Sequence, residues 1–164
     1  MVIFLLPILV FILDQWSKYW VKTNLEKYEP LNVIGHYVRF TYCENSGMAF
    51  GIQLGSYVHL LTVISILFTF YIIYYLYINL ESEWLVKLSI AFILGGALGN
   101  IYDRVFMFLD PENVGGVVDF IDVGLSFTTR WYIFNIADSA ITIGIIFYFI
   151  HSIFFENKAE LEEN

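Results

Sequence analysis

Two aspartates stand apart because nothing near them in sequence can neutralise them. Asp138 lies inside WYIFNIADSAITIGIIFYFI, a stretch otherwise suited to lipid, and Asp119 lies in VVDFID; neither has a cationic residue close by in the chain. An Asp at the centre of a membrane span costs about 2.5–3.5 kcal/mol on insertion scales, so it needs a partner or a use. Two carboxyl groups brought together from different segments cannot both ionise cheaply. Mutual repulsion and low dielectric raise one pKa, and the pair shares a proton. The ionised member can then take a proton from water while the protonated member polarises a carbonyl, which hydrolyses a peptide bond without a covalent intermediate or a metal. Two other uses remain open. Asp119 and Asp122 suit a carboxylate-only Mg2+ or Ca2+ site, although no His or Cys grouping completes a fuller ligand set. Intramembrane Asp residues also serve proton-coupled transporters as a relay.

The other polar residues near the apolar stretches fall at helical spacing. Asp14 and Lys18 are four apart; Asn100, Asp103 and Arg104 stand at i, i+3 and i+4; Asn135 and Asp138 stand at i and i+3. Each group therefore occupies one helical face. Plainer roles fit them too. Asp14 with Lys18 and Asp103 with Arg104 suit ion pairs worth about 0–1 kcal/mol, and Asn100 and Asn135 suit interhelical hydrogen bonds worth about 0.6 kcal/mol. His36, His59 and His151 are scattered, in no ligand spacing, and read as structural. Cys43, the only cysteine, excludes an intrachain disulfide and reads as a packed thiol, with no basic neighbour to activate it.

What must position these groups is a membrane protein. Of 164 residues 59% are hydrophobic and only 15% charged, against about 45–50% and about 25% in soluble domains. The net charge of −8 argues against a nucleic-acid partner, which needs clustered Lys and Arg. Four stretches have the roughly 20 apolar residues of a span: Met1 to Trp20, Val58 to Ile78, Trp84 to Val105, and Trp131 to Phe155. The first has no basic leader and no small-residue cleavage site, so it reads as a retained span. Trp16, Trp20, Trp84 and Trp131 read as interface anchors. NLESE joins spans two and three as a tight hairpin. Val21 to Tyr57, rich in β-branched and aromatic residues, reads as a small antiparallel sheet. Phe106 to Arg130 reads as a turn at Pro111, Gly115 and Gly116 followed by a short amphipathic helix at the interface. The expected fold is thus a single-domain, all-α bundle of four transmembrane helices with a small sheet, a short amphipathic helix and a solvated acidic tail, Glu156 to Asn164. No internal repeat is visible.

With four spans the polar groups gather at one membrane surface while the opposite helix halves stay apolar. A transporter would be expected to place them near the midplane with a route to both sides; a pocket open to one side fits better. The flanking charges Lys22, Lys27, Arg39 and Arg130 against Lys87 and Lys158 would, taken alone, put the termini outside.

In order along the chain, FILDQWSKYW, ENSGMAFG, GGALGNIYDR, VVDFID and FNIADSAI resemble the motifs of the bacterial lipoprotein signal peptidases (signal peptidase II), from Asp14 through Ala140. The resemblance implies a globomycin-sensitive aspartic endopeptidase of the bacterial cytoplasmic (inner) membrane. Such an enzyme removes signal peptides from diacylglyceryl-modified prolipoproteins, cutting before the lipidated cysteine. It implies Asp119 and Asp138 as the catalytic dyad, with Asn45, Gly47, Asn100, Arg104 and Asn135 shaping the pocket. Asp103 joins them from GGALGNIYDR, and Asp14 and Lys18 support from the first block. It further implies cytoplasmic termini, against the charge bias, and an outward-facing site in which the sheet cradles the peptide and the stretch Phe120 to Phe127 closes over it. No cofactor or metal is implied; the partners are the prolipoprotein and membrane lipid, and the chain is expected to be a monomer. Three features depart from the family pattern: Met48 in place of a smaller residue, a long FMFLDPENVGG, and an acidic tail.

Overall fold

The computed structural model describes residues 2–47, 58–110 and 115–156. Met48, Pro111 and the tail beyond residue 156 lie outside the described residues. Four helices form: α1 (Leu5–Asn24), α2 (Val58–Ile78), α3 (Trp84–Leu109) and α4 (Ile136–His151), the last continuing into one wider turn over Ser152–Glu156. Pro7 falls in the first turn of α1, where a missing N–H breaks no helical bond. α2 has the expected bounds, whereas α1 and α3 each run four residues beyond theirs. Three segments are long and apolar enough to cross a membrane, judged by length and composition: His59–Ile78, Trp84–Leu109 and Ile136–Phe154. α1, which carries Asp14, Lys18 and Lys22, is not among them.

α3 is the hub, packed against α1, α2 and α4. Its GGALG segment makes this possible. A Cβ on Gly95 would come within 2.7 Å of Val10 in α1, one on Gly96 would collide with the Ala137 carbonyl of α4, and one on Gly99 would lie 2.6 Å from Asp14 Oδ2. Gly144 repeats the device from the other side, with Ser89 O only 2.6 Å from its missing Cβ. In lipid, where apolar burial does not drive helices together, such backbone approach supplies the dispersion contacts that do. α2 meets α3 through an apolar cluster of Ile72, Leu76, Val86, Ile90 and Leu94.

The three strands are β1 (Pro30–Ile34), β2 (Val38–Asn45) and β3 (Val117–Val123), antiparallel in the order β1-β2-β3. Val21 of α1, Tyr42, Val118 and Phe120 form a second apolar cluster that joins the end of α1 to this sheet. β3 corrects the expected amphipathic helix. Five of its seven residues are buried, all but Ile121 and Val123, and Phe134 bonds back to Ile121 (Ile121 N to Phe134 O, 2.7 Å) while Trp131 N donates to Val123 O at 2.8 Å. That pairing also corrects the fourth span: Trp131 to Phe134 are extended against β3, so the helix begins at Ile136, not at Trp131.

One irregularity in the sheet controls which residues meet. Arg39 pairs with Asp122 and Phe40 with Ile121, but Cys43 pairs with Asp119 and Asn45 with Val117, so β2 holds one extra residue between Phe40 and Cys43. In a regular strand Arg39, Thr41, Cys43 and Asn45 would share a face. The bulge instead leaves Arg39 and Thr41 with Asp122 and turns Cys43 and Asn45 toward Asp119.

Gly96→Ala is expected to lower stability by about 1–3 kcal/mol, because the obstructing atom is backbone and cannot rotate away. Gly35→Asn, at φ 54° with nothing within 4 Å of a new Cβ, is expected to change it by less than about 0.5 kcal/mol. Thermal unfolding of the two variants in detergent checks the contrast.

Candidate active site

The site is built around the start of α4. Asn135 is its N-cap: the Asn135 Oδ1 accepts from Asp138 N at 2.9 Å, and Asp138 Oδ2 accepts from Asn135 N at 3.2 Å, a complete capping box. Asp14 supplies a further acceptor from α1, its Oδ1 taking Ala137 N at 2.9 Å. Since α1 continues ten residues past Asp14, about 15 Å at 1.5 Å per residue, α4 begins well inside the bundle.

Three asparagines join the two candidate carboxylates. Asn135 Nδ2 donates to Asp119 Oδ1 at 2.7 Å, and Asn45 Nδ2 donates to Asp119 Oδ2 at 3.1 Å. Asn100 Nδ2 donates to Asp138 Oδ1 at 2.8 Å, and its Oδ1 accepts from Asn135 Nδ2 at 3.0 Å. Every carboxylate oxygen of the pair therefore receives an N–H. Gly47 contributes through its backbone, its N–H donating to Asn45 Oδ1 at 3.0 Å so that the amide nitrogen faces Asp119. Asp119, Asp138, Asn45, Asn100 and Arg104 line one cavity of about 830 Å³. Arg104 also reaches Ser65 Oγ of α2 at 3.5 Å. Asn135 is fully buried behind the wall.

The remaining expected residues lie deeper. Lys18, 2% exposed, bridges Asp14 Oδ2 at 2.7 Å and Asp103 Oδ2 at 2.8 Å, and donates to Asn100 Oδ1 at 3.2 Å. Asp103 thus pairs with Lys18 of α1, and its neighbour Arg104 points to the cavity instead, which corrects the Asp103–Arg104 pair. Asp122 stands apart on the other face of β3, where Arg130 Nε, Thr41 Oγ1 and Arg39 occupy its oxygens. Its separation from Asp119 rules out the carboxylate pair that a shared cation would need.

Sequence reasoning missed several contributors. Gln15 Nε2 donates to Gly99 O at 3.1 Å and Asp103 Oδ1 at 3.2 Å, tying α1 to α3 beside Lys18. Cys43, Glu44, Ser139 and Thr142 line the cavity with an apolar wall of Trp131, Phe134, Ile141 and Ile143. The capping signature N-I-A-D is the signal in the sequence that could have placed the helix start, and with it this wall. Burial, then the charges of Asp119 and Asp122, pushes the Cys43 thiol up to about 12, which keeps it protonated and unreactive. His59 rests edge-on against Phe108 and His36 beside Phe127, as structural rings.

The surroundings of Asp119 oppose its ionisation. Burial, and after it the charge of Asp138, raises its pKa to about 7, against the pull of the Asn45 hydrogen bond, Lys18 and Asn135. Among the described residues no three His, Cys, Asp or Glu side chains group as metal ligands.

Known proteins resemble this chain in sequence and in fold. A sequence model of the signal peptidase (SPase) II family matches residues 6–154. The lipoprotein signal peptidase of Halalkalibacterium halodurans is 34% identical over 164 residues, 100% of this chain and 99% of that one. That of Clostridioides difficile is 37% identical over 161 residues, 97% and 99% of the two chains. A bacterial membrane enzyme solved by the in meso method at 1.9 Å superposes with a TM-score of 0.73 and 31% identity, covering 94% of each chain.

The protonated-carboxyl infrared band that disappears in Asp119→Asn is expected to titrate with a midpoint near 7. Asn45→Ala removes a donor that favours the ionised form, so it should move that midpoint upward. A midpoint in the ordinary carboxylate range, about 4, contradicts an Asp119 carboxyl held up by burial and by Asp138.

Proposed function

The chain belongs to the signal peptidase II family, and from that membership we infer that it is a membrane-embedded aspartic endopeptidase. It removes the signal peptide from diacylglyceryl-modified prolipoproteins, cutting before the lipidated cysteine. The observation that carries the chemistry is that Asp119 and Asp138 line one cavity and share a bridging amide network through Asn135 and Asn100. Asp119 carries the dyad's proton in the reactive form. Asp138, at the N-terminus of α4 where the helix dipole favours negative charge, takes a proton from a water between the two. The resulting hydroxide adds to the scissile carbonyl carbon as Asp119 gives its proton to the carbonyl oxygen. The tetrahedral gem-diol then collapses: one hydroxyl returns its proton to Asp119, the C–N bond breaks, and Asp138 gives its proton to the leaving amine, which leaves a carboxylic acid and the dyad as it began. Arg104, on the cavity wall, orients the peptide carbonyl and offsets charge developing there.

The cavity also suits the lipid. Trp131, Phe134, Ile141 and Ile143 give it an apolar side that fits acyl chains remaining in the bilayer while the peptide reaches water. α1 acts as a fourth span, since its outer face is apolar and exposed at Ile8, Leu9, Ile12, Leu13 and Trp16 while Asp14 and Lys18 turn inward. The enzyme is a multi-pass monomer of the bacterial cytoplasmic membrane, with cytoplasmic termini and a site facing outward. A transporter has no support in a polar cluster gathered at one end of α3 and α4.

Purified protein is expected to release the signal peptide from a diacylglyceryl-modified prolipoprotein, and globomycin to block it. Asp119→Asn and Asp138→Asn should each cut turnover by roughly 10²–10⁴-fold or more while melting like the wild type in detergent. Full cleavage by either variant would sink the dyad.

A further inference from the structure

Donor counting singles out Lys18. An ammonium has three N–H groups, and Lys18 meets three acceptors at hydrogen-bond distance: Asp14 Oδ2, Asp103 Oδ2 and Asn100 Oδ1. The match is one for one. The amide of Asn135 has two hydrogens and faces three acceptors, Asp119 Oδ1, Val118 O and Asn100 Oδ1, at 2.7, 3.2 and 3.0 Å. Its donation to Asn100 is therefore shared, and Lys18 is the one group with a hydrogen reserved for that oxygen.

This matters because a side-chain amide is two-faced. Whichever end Asn100 turns to Lys18, it turns the other to Asp138. A lysine donates only, so it holds Oδ1 on its own side and commits Nδ2 to Asp138 Oδ1. The partner asparagines are fixed by backbone N–H groups, Asn45 by Gly47 and Asn135 by Asp138, and a side-chain substitution leaves those donors in place. Asn100 alone depends on a side chain. If it flips, Oδ1 meets a carboxylate oxygen at a half-buried site, where two facing acceptors repel.

We propose that Lys18 is a positioning residue for the dyad, acting through Asn100: it fixes the polarity of that amide so that a donor faces Asp138. The proposal rests on the protease reading above but makes a separate claim. Lys18 does not line the cavity, so it acts without touching substrate. A purely structural lysine would neutralise Asp14 and Asp103 and do nothing more.

The two roles separate in one series. Lys18→Met leaves two buried carboxylates without their cation and should destabilise the bundle. Lys18→Met with Asp103→Asn removes one charge of each sign, so the local net charge is that of the wild type and most of the stability should return. On folded enzyme the double variant should keep KM near the wild-type value and lose kcat by roughly 10–100-fold, the usual effect of losing a group that orients a reacting one. In that background Asn100→Leu should cost little more, whereas in the wild type it should cost at least as much as losing Lys18. Side-chain amide hydrogen exchange of Asn100, read by NMR in micelles, should show protection lost in the double variant. Restored kcat, multiplicative losses, or unchanged Asn100 protection would each overturn the proposal. Undiminished cleavage by Asp138→Asn would instead remove the protease reading, and the exchange measurement would still decide whether Lys18 holds Asn100.

Discussion

A helix that begins inside an apolar bundle presents N–H groups that water does not reach, and each one left bare costs several kcal/mol. The recessed start of α4 is where this molecule meets that demand. Asp14 from α1 takes its Ala137 N–H and the Asn135 side chain takes its Asp138 N–H, so two elements far apart in sequence must converge on one turn. Once Asp14 is buried there it needs a cation, which Lys18 supplies. Lys18 in turn reaches Asp103 and Asn100 of α3. The glycines of α3 then follow as a requirement, because only Gly99 leaves room for the Asp14 carboxylate and only Gly96 lets α4 lie close enough.

The same demand shapes the chemistry. A carboxylate at the third position of α4 closes the capping box and simultaneously faces the cavity. Stability and reactivity therefore draw on the same oxygens. The amides around Asp119 and Asp138 are hydrogen-bond donors with few alternatives, and the sheet and α3 hold them from opposite sides. Such a network needs no large motion to be ready, since its dipoles already point where charge must be held.

The polar residues of the site were legible in the sequence because each is expensive in an apolar stretch, and the helical spacing of Asp14 with Lys18 and of Asn100 with Asp103 survived into the fold. The apolar pieces were less so. Trp131 to Phe134 read as part of a span because hydropathy does not distinguish a buried extended segment from a helix. VVDFIDV read as amphipathic because Asp119 and Asp122 stand three apart, as on a helix. In the strand they lie on opposite faces, each satisfied by a different tertiary partner, Asn135 for one and Arg130 for the other. No local pattern records that. The ionic partner of Asp103 was misassigned for a similar reason: a neighbour in sequence competes with a neighbour in space, and α1 supplied the nearer cation.

The bulge between Phe40 and Cys43 adds a constraint of a different kind, one on the path of the backbone. Straightening β2 there with every residue kept would leave composition, hydropathy and strand propensity untouched. It would nonetheless restore regular alternation and turn Asn45 from the face of Asp119 to the face of Asp122. The surplus residue, rather than the identity of any residue near it, is thus part of what places the site. Losing one codon there would remove the bulge and still leave Asn45 opposite Val117, on the face of Asp119, so a shortened hairpin keeps the arrangement that a straightened one loses.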